Sequence, residues 1–231
     1  TKDGKSGVAI KPDGDIVWQI TLSTTSTAYP LSVGMDGSIY FASNSWNIYR
    51  ISKEGTSSII ANPNASVVTT LLVDKDDSVY GVTSSNTLFK VRANGSFSIK
   101  HILSAASGCI FSNPVLTTDS ILVAFSCQDN SIYSKLNFRA ISFDGKTAWQ
   151  YSMTIPTVYK ASDALLQESL LGPDGTWYVA TPTVLYAVRP TPFGIPTTAP
   201  WPMAGHDIVQ SGNTEYPFIN DPPSIPTGPS P

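Results

Sequence analysis

His101 and His206 are the two histidines of the chain, so a two-histidine metal site or a histidine-assisted nucleophile must draw on these side chains. His206-Asp207 has the order of a base and its orienting carboxylate, but adjacent residues of an extended segment seldom face each other, and the pair is read as structural. Asp74, Asp76 and Asp77, in VDKDDS, are oxygen donors of the kind calcium takes from a flexible loop. The loop lacks the glycine and closing glutamate of an EF-hand, and it stands where an earlier segment has GMDGS, whose acidic side chain would cap a β-turn. The turn reading is preferred, and the three aspartates are kept only as metal candidates. No residue is assigned to catalysis or to cofactor binding, and no cofactor is expected.

Three further residue types have positions that matter. Cys109 leads into a strand read at 110–116 and Cys127 closes a strand read at 121–127, with a turn near Thr118-Asp119 between them. A hairpin centred there sets the two cysteines opposite one another, within reach of a disulfide once the strands twist locally. That pairing suggests an oxidising compartment, whereas an intracellular protein would favour two free thiols. Asn64-Ala65-Ser66 and Asn94-Gly95-Ser96 are glycosylation sequons in predicted turns, and such sequons also arise by chance in a chain this rich in Ser and Asn. Trp46 falls in a turn where other segments carry Asn or Thr, which makes it the candidate ligand contact.

The elements that position these residues come from a repeat. SVGMDGSIYFASNSWNIYRISKEG, residues 32–55, reads as strand, turn, strand, turn, strand, and the same phrase returns at 73–95, 115–145 and 170–189, while VAIKPDG at 8–14 is the tail of a further copy. Gly37, Asp77, Asp119 and Gly175 align at intervals of 40, 42 and 56 residues, which is a repeat period. The last interval is lengthened by segments read as loop insertions at 128–138 and 156–167. Runs such as Ser38-Ile39-Tyr40-Phe41-Ala42 are apolar at nearly every position, as in strands covered on both faces. Small sheets of that kind bury themselves by stacking on copies, radially about an axis. Four residues beyond the turn glycines Gly14, Gly55, Gly95 and Gly145 stand Trp18, Ile59, Ile99 and Trp149, read as apolar plugs between neighbouring sheets.

Composition narrows the partners. With 14 Lys and Arg against 17 Asp and Glu and no basic run, the chain offers no electrostatic footprint for nucleic acid or an anionic membrane surface. No apolar run approaches a membrane span. The chain starts with Thr and in mid-repeat, and is read as a processed or partial product of a longer precursor. After Arg189 proline accumulates, which disfavours regular sheet.

The apolar-Tyr-apolar step after an Asp-Gly turn, followed by Leu-Tyr-Ala-Val and by Asp-Gly-x-x-x-Trp, resembles the PQQ-like β-propeller repeat family. It is carried by Val8 to Trp18, Ala140 to Trp149 and Asp174 to Val188. Trp201-Pro202-Met203-Ala204-Gly205-His206-Asp207, with Gly212 and Thr214, is similar to a segment that borders repeats in bacterial members. The likeness covers about residues 8–214, with Ile59 and Ile99 replacing the Trp of the pattern. It implies repeats of the kind found in quinoprotein dehydrogenases and in many non-enzymatic secreted or periplasmic propellers. A quinoprotein enzyme would need a vicinal disulfide and a longer ring, and no adjacent Cys pair exists, so the family likeness implies the repeat without the cofactor.

The sequence thus predicts an all-β propeller of about four to five blades, partial or composite. The repeats occupy 1–190 (copies near 8–20, 32–60, 72–100, 110–150 and 168–189), a repeat-border segment 191–214, and a Pro-rich linker or arm 215–231. The expected role is that of an exported, extracellular or periplasmic, non-catalytic scaffold or protein-interaction module, not an enzyme. Its expected partner is a protein or a second copy, met through an open strand edge or the Pro-rich tail. A carbohydrate-binding propeller with a glycan on Trp46, and a fragment of a quinoprotein-type dehydrogenase, are the alternatives.

Overall fold

In the computed structural model of the chain the described residues are 6–22, 31–106, 108–128, 133–156, 168–181, 184–189 and Met203. They form five antiparallel sheets and no helix. Blade 1 holds β1 (Ser6–Ile10) and β2 (Ile16–Thr21). Blade 2 is a meander of β3 (Ser32–Val33), β4 (Ile39–Ala42), β5 (Ile48–Ile51) and β6 (Ser57–Ala61). Blade 3 repeats it with β7 (Leu72–Val73), β8 (Val79–Val82), β9 (Thr87–Val91) and β10 (Phe97–Ile102). Blade 4 comprises β11 (Cys109–Phe111), β12 (Val115–Leu116), β13 (Ser120–Gln128), β14 (Tyr133–Ser142) and β15 (Thr147–Pro156). Blade 5 holds β16 (Ser169–Leu171), β17 (Trp177–Ala180) and β18 (Leu185–Val188). The whole is a β-propeller.

Two sequence expectations are corrected in blade 4. The strand read at 110–116 is two short strands, β11 and β12, both laid on β13, because Pro114 has no N–H for a continuous ladder. Residues 133–138, read as part of a loop insertion, are strand: β13 and β14 run on in unbroken register from Ser120↔Ser142 to Gln128↔Ser134. The extra length of this repeat is therefore a hairpin twice as long as its neighbours, and Tyr133 and Ile155 belong to strands as well. Residues 157–167, the 191–202 and 204–231 stretches, and with them His206-Asp207 and the Pro-rich arm, lie outside the described residues.

One turn geometry serves nearly the whole repeat. In nine turns the first residue's N–H bonds the carbonyl four residues on, and the fourth residue's N–H bonds back to the first, as in Lys11–Asp15, Gly34–Ser38 and Ser52–Thr56. The fourth residue must be left-handed, which explains glycine at 14, 37, 55, 95, 145 and 175. The exceptions are Trp46, Asp77 and Asn86, with φ of 66°, 52° and 59°.

Apolar runs work on both faces. Each seam between adjacent blades has its own core: Phe41, Tyr49 and Ile51 against Trp18 and Ile20; Tyr40 and Ile48 against Val73 and Val79; Leu72 and Tyr80 against Ile121 and Phe125; Leu122 and Phe138 against Trp177 and Val179. Successive residues of one strand thus face opposite seams, Val79 one way and Tyr80 the other. Along the inner strands runs a line of polar contacts: the Ser32 hydroxyl donates to the Leu71 carbonyl, the Thr70 N–H to Asn113 Oδ1 at 2.7 Å, and the Ser169 hydroxyl to the Asn113 carbonyl at 2.6 Å. Buried Asn113 therefore ties blades 3, 4 and 5 together.

Candidate functional site

The plugs between blades depend on a bulge. In blades 1, 3 and 4 the ladder skips Val17, Ser98 and Ala148, leaving Trp18 opposite Ala9, Ile99 opposite Lys90 and Trp149 opposite Ala140. The extra residue turns the next side chain toward the neighbouring blade. Trp18 packs on the turn of blade 2, where a Cβ at Gly55 would meet its ring at 2.7 Å, and its indole N–H donates to the Lys53 carbonyl at 3.0 Å. Ile99 is buried and lies against Gly145 in the same way. Trp149 packs at the seam with blade 5. Ile59 departs from the expectation. In blade 2 the skipped residue is Ile60, so Ile59 precedes the bulge, keeps the opposite facing and is 55% exposed. Ile60 faces the seam in its place, with its carbonyl against Gly95.

At one rim the turns joining second and third strands meet the loops between blades. Asn62 donates to Asn47 Oδ1 at 2.9 Å, the Ser84 N–H to the Ser66 carbonyl at 2.8 Å, and the Asn86 amide to the Ser104 and Ala106 carbonyls. Trp46 stands on this rim, 46% exposed, in the left-handed position that Asn86 fills in the next blade. A bulky side chain there is an outlier of the kind that concentrates at binding sites. Its neighbours Ser43, Ser45, Asn47 and Asn62 form a hydroxyl and amide network, with Asn47 Nδ2 3.3 Å from Ser45 Oγ. Asn64 is exposed on the same stretch, and Asn94 is exposed on the opposite rim, its Oδ1 accepting from the Ser96 hydroxyl at 2.7 Å.

At the opposite rim the three candidate metal ligands diverge. Asp74 accepts the Tyr80 hydroxyl at 2.6 Å, Lys90 Nζ at 3.1 Å and the Asp76 and Ser78 N–H groups at 2.9 Å. Asp76 pairs with Lys75, and Asp77 reaches back to blade 2, accepting the Met35 N–H at 3.0 Å. Among the described residues no three His, Cys, Asp or Glu side chains gather as a metal site. Burial pulls the Asp74 carboxyl upward, but the bonds from Tyr80, the Ser78 N–H and Lys90 outweigh it and hold it below its ordinary value. Burial, with help from Asp36 and Asp74, pushes Asp77 up. Burial likewise raises the Tyr40 phenol to about 12. The cations of these networks escaped the sequence reading: Arg50 joins Asp36, Lys90 joins Asp74 and Arg189 joins Asp174. Their signal was present, since Tyr40 and Arg50, like Tyr80 and Lys90, are cross-strand partners ten residues apart. His101 is fixed through Nδ1 to the Gly145 carbonyl at 2.9 Å.

Cys109 lies directly opposite Cys127 and the two are bonded, with Cα atoms 4.0 Å apart. The bond staples β11, the first strand of blade 4 and the end of the connection from blade 3, to the long hairpin.

The two end sheets hold the open surface. Among the described residues β1 pairs with β2 and β18 with β17, so these two strands are the outermost of the described end sheets. The cross-strand pair Ile10 and Ile16 is 62% and 60% exposed, with Val17 beside it, and Val184 and Leu185 are exposed at β18.

No protein-family model matches the chain, and no curated protein matches its sequence. Among solved structures it is similar to BamB from Moraxella catarrhalis, at 15% identity and a TM-score of 0.57, over 80% of this chain and 52% of that one. It is also similar to BBS1N, crystallised in complex with ARL6DN, at 14% identity and a TM-score of 0.50, over 86% of this chain and 64% of that one. The chain thus spans between half and two thirds of the length of these structures. The likeness is one of fold.

Proposed function

We propose that the protein is an exported, non-catalytic propeller of the PQQ-like type that serves as a scaffold and protein-interaction module. The observation that carries this reading is the pair of end sheets, each of which has, among the described residues, an outermost strand with a neighbour on one side and exposed apolar side chains near it. Such an edge takes up a strand from a partner polypeptide or from a second copy, with main-chain bonds giving affinity and the Ile10–Ile16 pair giving apolar contact. The BBS1N complex with ARL6DN is a protein partnership on a similar fold and favours the same reading. Export is supported by the Cys109–Cys127 bond, which persists in oxidising compartments, and is compatible with the exposed sequon residues Asn64 and Asn94.

Sedimentation velocity of the full chain over a concentration series tests this. Concentration-dependent assembly that is lost in the Ile10→Lys, Ile16→Lys double variant is expected, both positions being exposed and tolerant. A monomer at every concentration would overturn the self-association form of the reading.

A second reading rests on Trp46: an exposed indole beside hydroxyl and amide groups is a stacking platform for a sugar ring. Glycan-array binding abolished by Trp46→Ala would establish it.

A further inference from the structure

The long hairpin of blade 4 overhangs the shorter blade 3, and beneath the overhang is a cavity of about 570 Å³. Its floor is set by strand register. Phe125 lies opposite Asn137 and Cys127 opposite Lys135, and Arg139 follows two residues after Asn137 on the same face of β14. The facing wall is Ile102 and the loop Leu103–Ala106, held in place by Asn86 and by the stapled β11.

Among the described residues the charges in this cavity are of one sign: Lys135 and Arg139 line it, and no described Asp or Glu does. The cations that reach the turn aspartates of blades 2, 3 and 5 are each paired: Arg50 with Asp36, Lys90 with Asp74 and Arg189 with Asp174. Among the described residues Arg139 and Lys135 have no carboxylate within ion-pair distance. Arg139 is half-buried and its guanidinium rests 5.4 Å from the centre of the Phe125 ring, which fixes its orientation. Asn137 is already committed, donating to the Lys135 carbonyl and accepting from Ser152. A half-buried cation with a preset orientation and no counter-charge among the described residues is arranged to receive an anion from outside. The rim adds Ile102, at 67% the most exposed large apolar side chain among the described residues, so the same visitor meets an apolar surface at the mouth.

We propose that this cavity binds a carboxylate of a partner polypeptide, an acidic side chain or chain end flanked by an apolar residue, with Arg139 and Lys135 holding the carboxylate and Ile102 and Phe125 the apolar neighbour. The proposal rests on the protein-partner reading above and names the chemistry of the segment recognised. The cavity has the size of an ordinary small-ligand site and takes about two residues.

The test is calorimetric titration of the full, disulfide-bonded chain with N-acetyl-leucyl-glutamate, alongside its uncharged diamide, sodium glucuronate and sodium sulfate. Saturable binding of the acidic dipeptide is expected, at least tenfold tighter than the diamide and weakened at least fivefold by Arg139→Gln and by Lys135→Gln. Lys135 is exposed, so its substitution keeps the test valid if the Arg139 variant fails to fold. No saturable binding, equal binding of the diamide, or binding unchanged in both variants would overturn the proposal. Glucuronate or sulfate binding as tightly as the dipeptide would overturn the peptide assignment and leave a general anion site. The Ile10→Lys, Ile16→Lys variant keeps dipeptide binding if the cavity is as described. Loss of assembly and loss of cavity binding therefore report separately on the two readings.

Discussion

Trp46 and Asp74 are the two residues whose surroundings make the sharpest demands. A tryptophan at φ 66° carries a backbone cost on the order of 1–3 kcal/mol that asparagine, as at Asn86, bears more easily. Trp46→Asn is therefore expected to raise the urea midpoint, by about 1 kcal/mol in stability, while removing any stacking on the indole; an unchanged or lower midpoint would show that the ring earns its place by packing. Asp74 is mostly buried with Lys90, whose ammonium also lies 4.9 Å from the centre of the Tyr80 ring. Its carboxyl is held below the ordinary value, so its contribution is complete above about pH 4 and is lost as pH falls through the lower folded value. Asp77, pushed up by burial, contributes with the opposite sign, so the effect is read as a difference between variants. Asp74→Asn should cost about 1.5–3 kcal/mol at neutral pH and should flatten the acid limb of stability against pH measured by chemical denaturation. What the sequence disclosed at this scale was the turn role of Asp74, Asp76 and Asp77 and the oddity of Trp46. It did not disclose Arg139 or Asn113, because a cation without a partner and an asparagine bridging blades are defined by what lies across space.

The strands are where one inserted residue decides the outcome. The bulges at Val17, Ser98 and Ala148 set Trp18, Ile99 and Trp149 toward their seams, and the displaced bulge at Ile60 leaves Ile59 in solvent. Two isoleucines at the same distance from their turn glycines thus have opposite fates. Ile99→Ala should cost about 2–5 kcal/mol, whereas Ile59→Ala should stay within about 0.5 kcal/mol, both read from urea denaturation. Equal costs would refute the bulge account. The sequence made the strands and turns legible through the repeated Asp-Gly signature and two-faced apolar runs. The bulge left no such mark, since nothing in SSIIA as against SFSIK tells which residue leaves the ladder. The long hairpin of blade 4 was missed although KLNFRA alternates polar and apolar, as a strand with one solvated face does, because the repeat was recognised by the two-faced, largely apolar runs of the other blades.

In the molecule as a whole, the blades are joined by apolar seams outside and by polar ties near the axis. Asn113 accepts the Thr70 N–H from one neighbour and the Ser169 hydroxyl from the other, so Asn113→Ala orphans a buried donor and should cost about 1–3 kcal/mol. The variant should also separate the unfolding of blades 3 and 5 in hydrogen exchange; a uniform loss of protection would mean the seams alone carry the coupling. The repeat period made a propeller of stacked sheets legible, while the axial line could not be read from it: Leu71, Asn113 and Ser169 stand six residues before Asp77, Asp119 and Gly175, but three unlike residues at one place carry no sign that they bond across blades. The plugs have a final consequence. Two seams set a side chain of one blade on the turn glycine of the next, Trp18 on Gly55 and Ile99 on Gly145, and a third sets the Ile60 carbonyl on Gly95, while among the described residues a Cβ at Gly14 would find nothing within 4 Å. Plug and socket are different objects, so the joint has polarity. Two copies meeting by it cannot cancel one another face to face; they add head to tail, and the angle per step decides between a closed circle and a growing fibre.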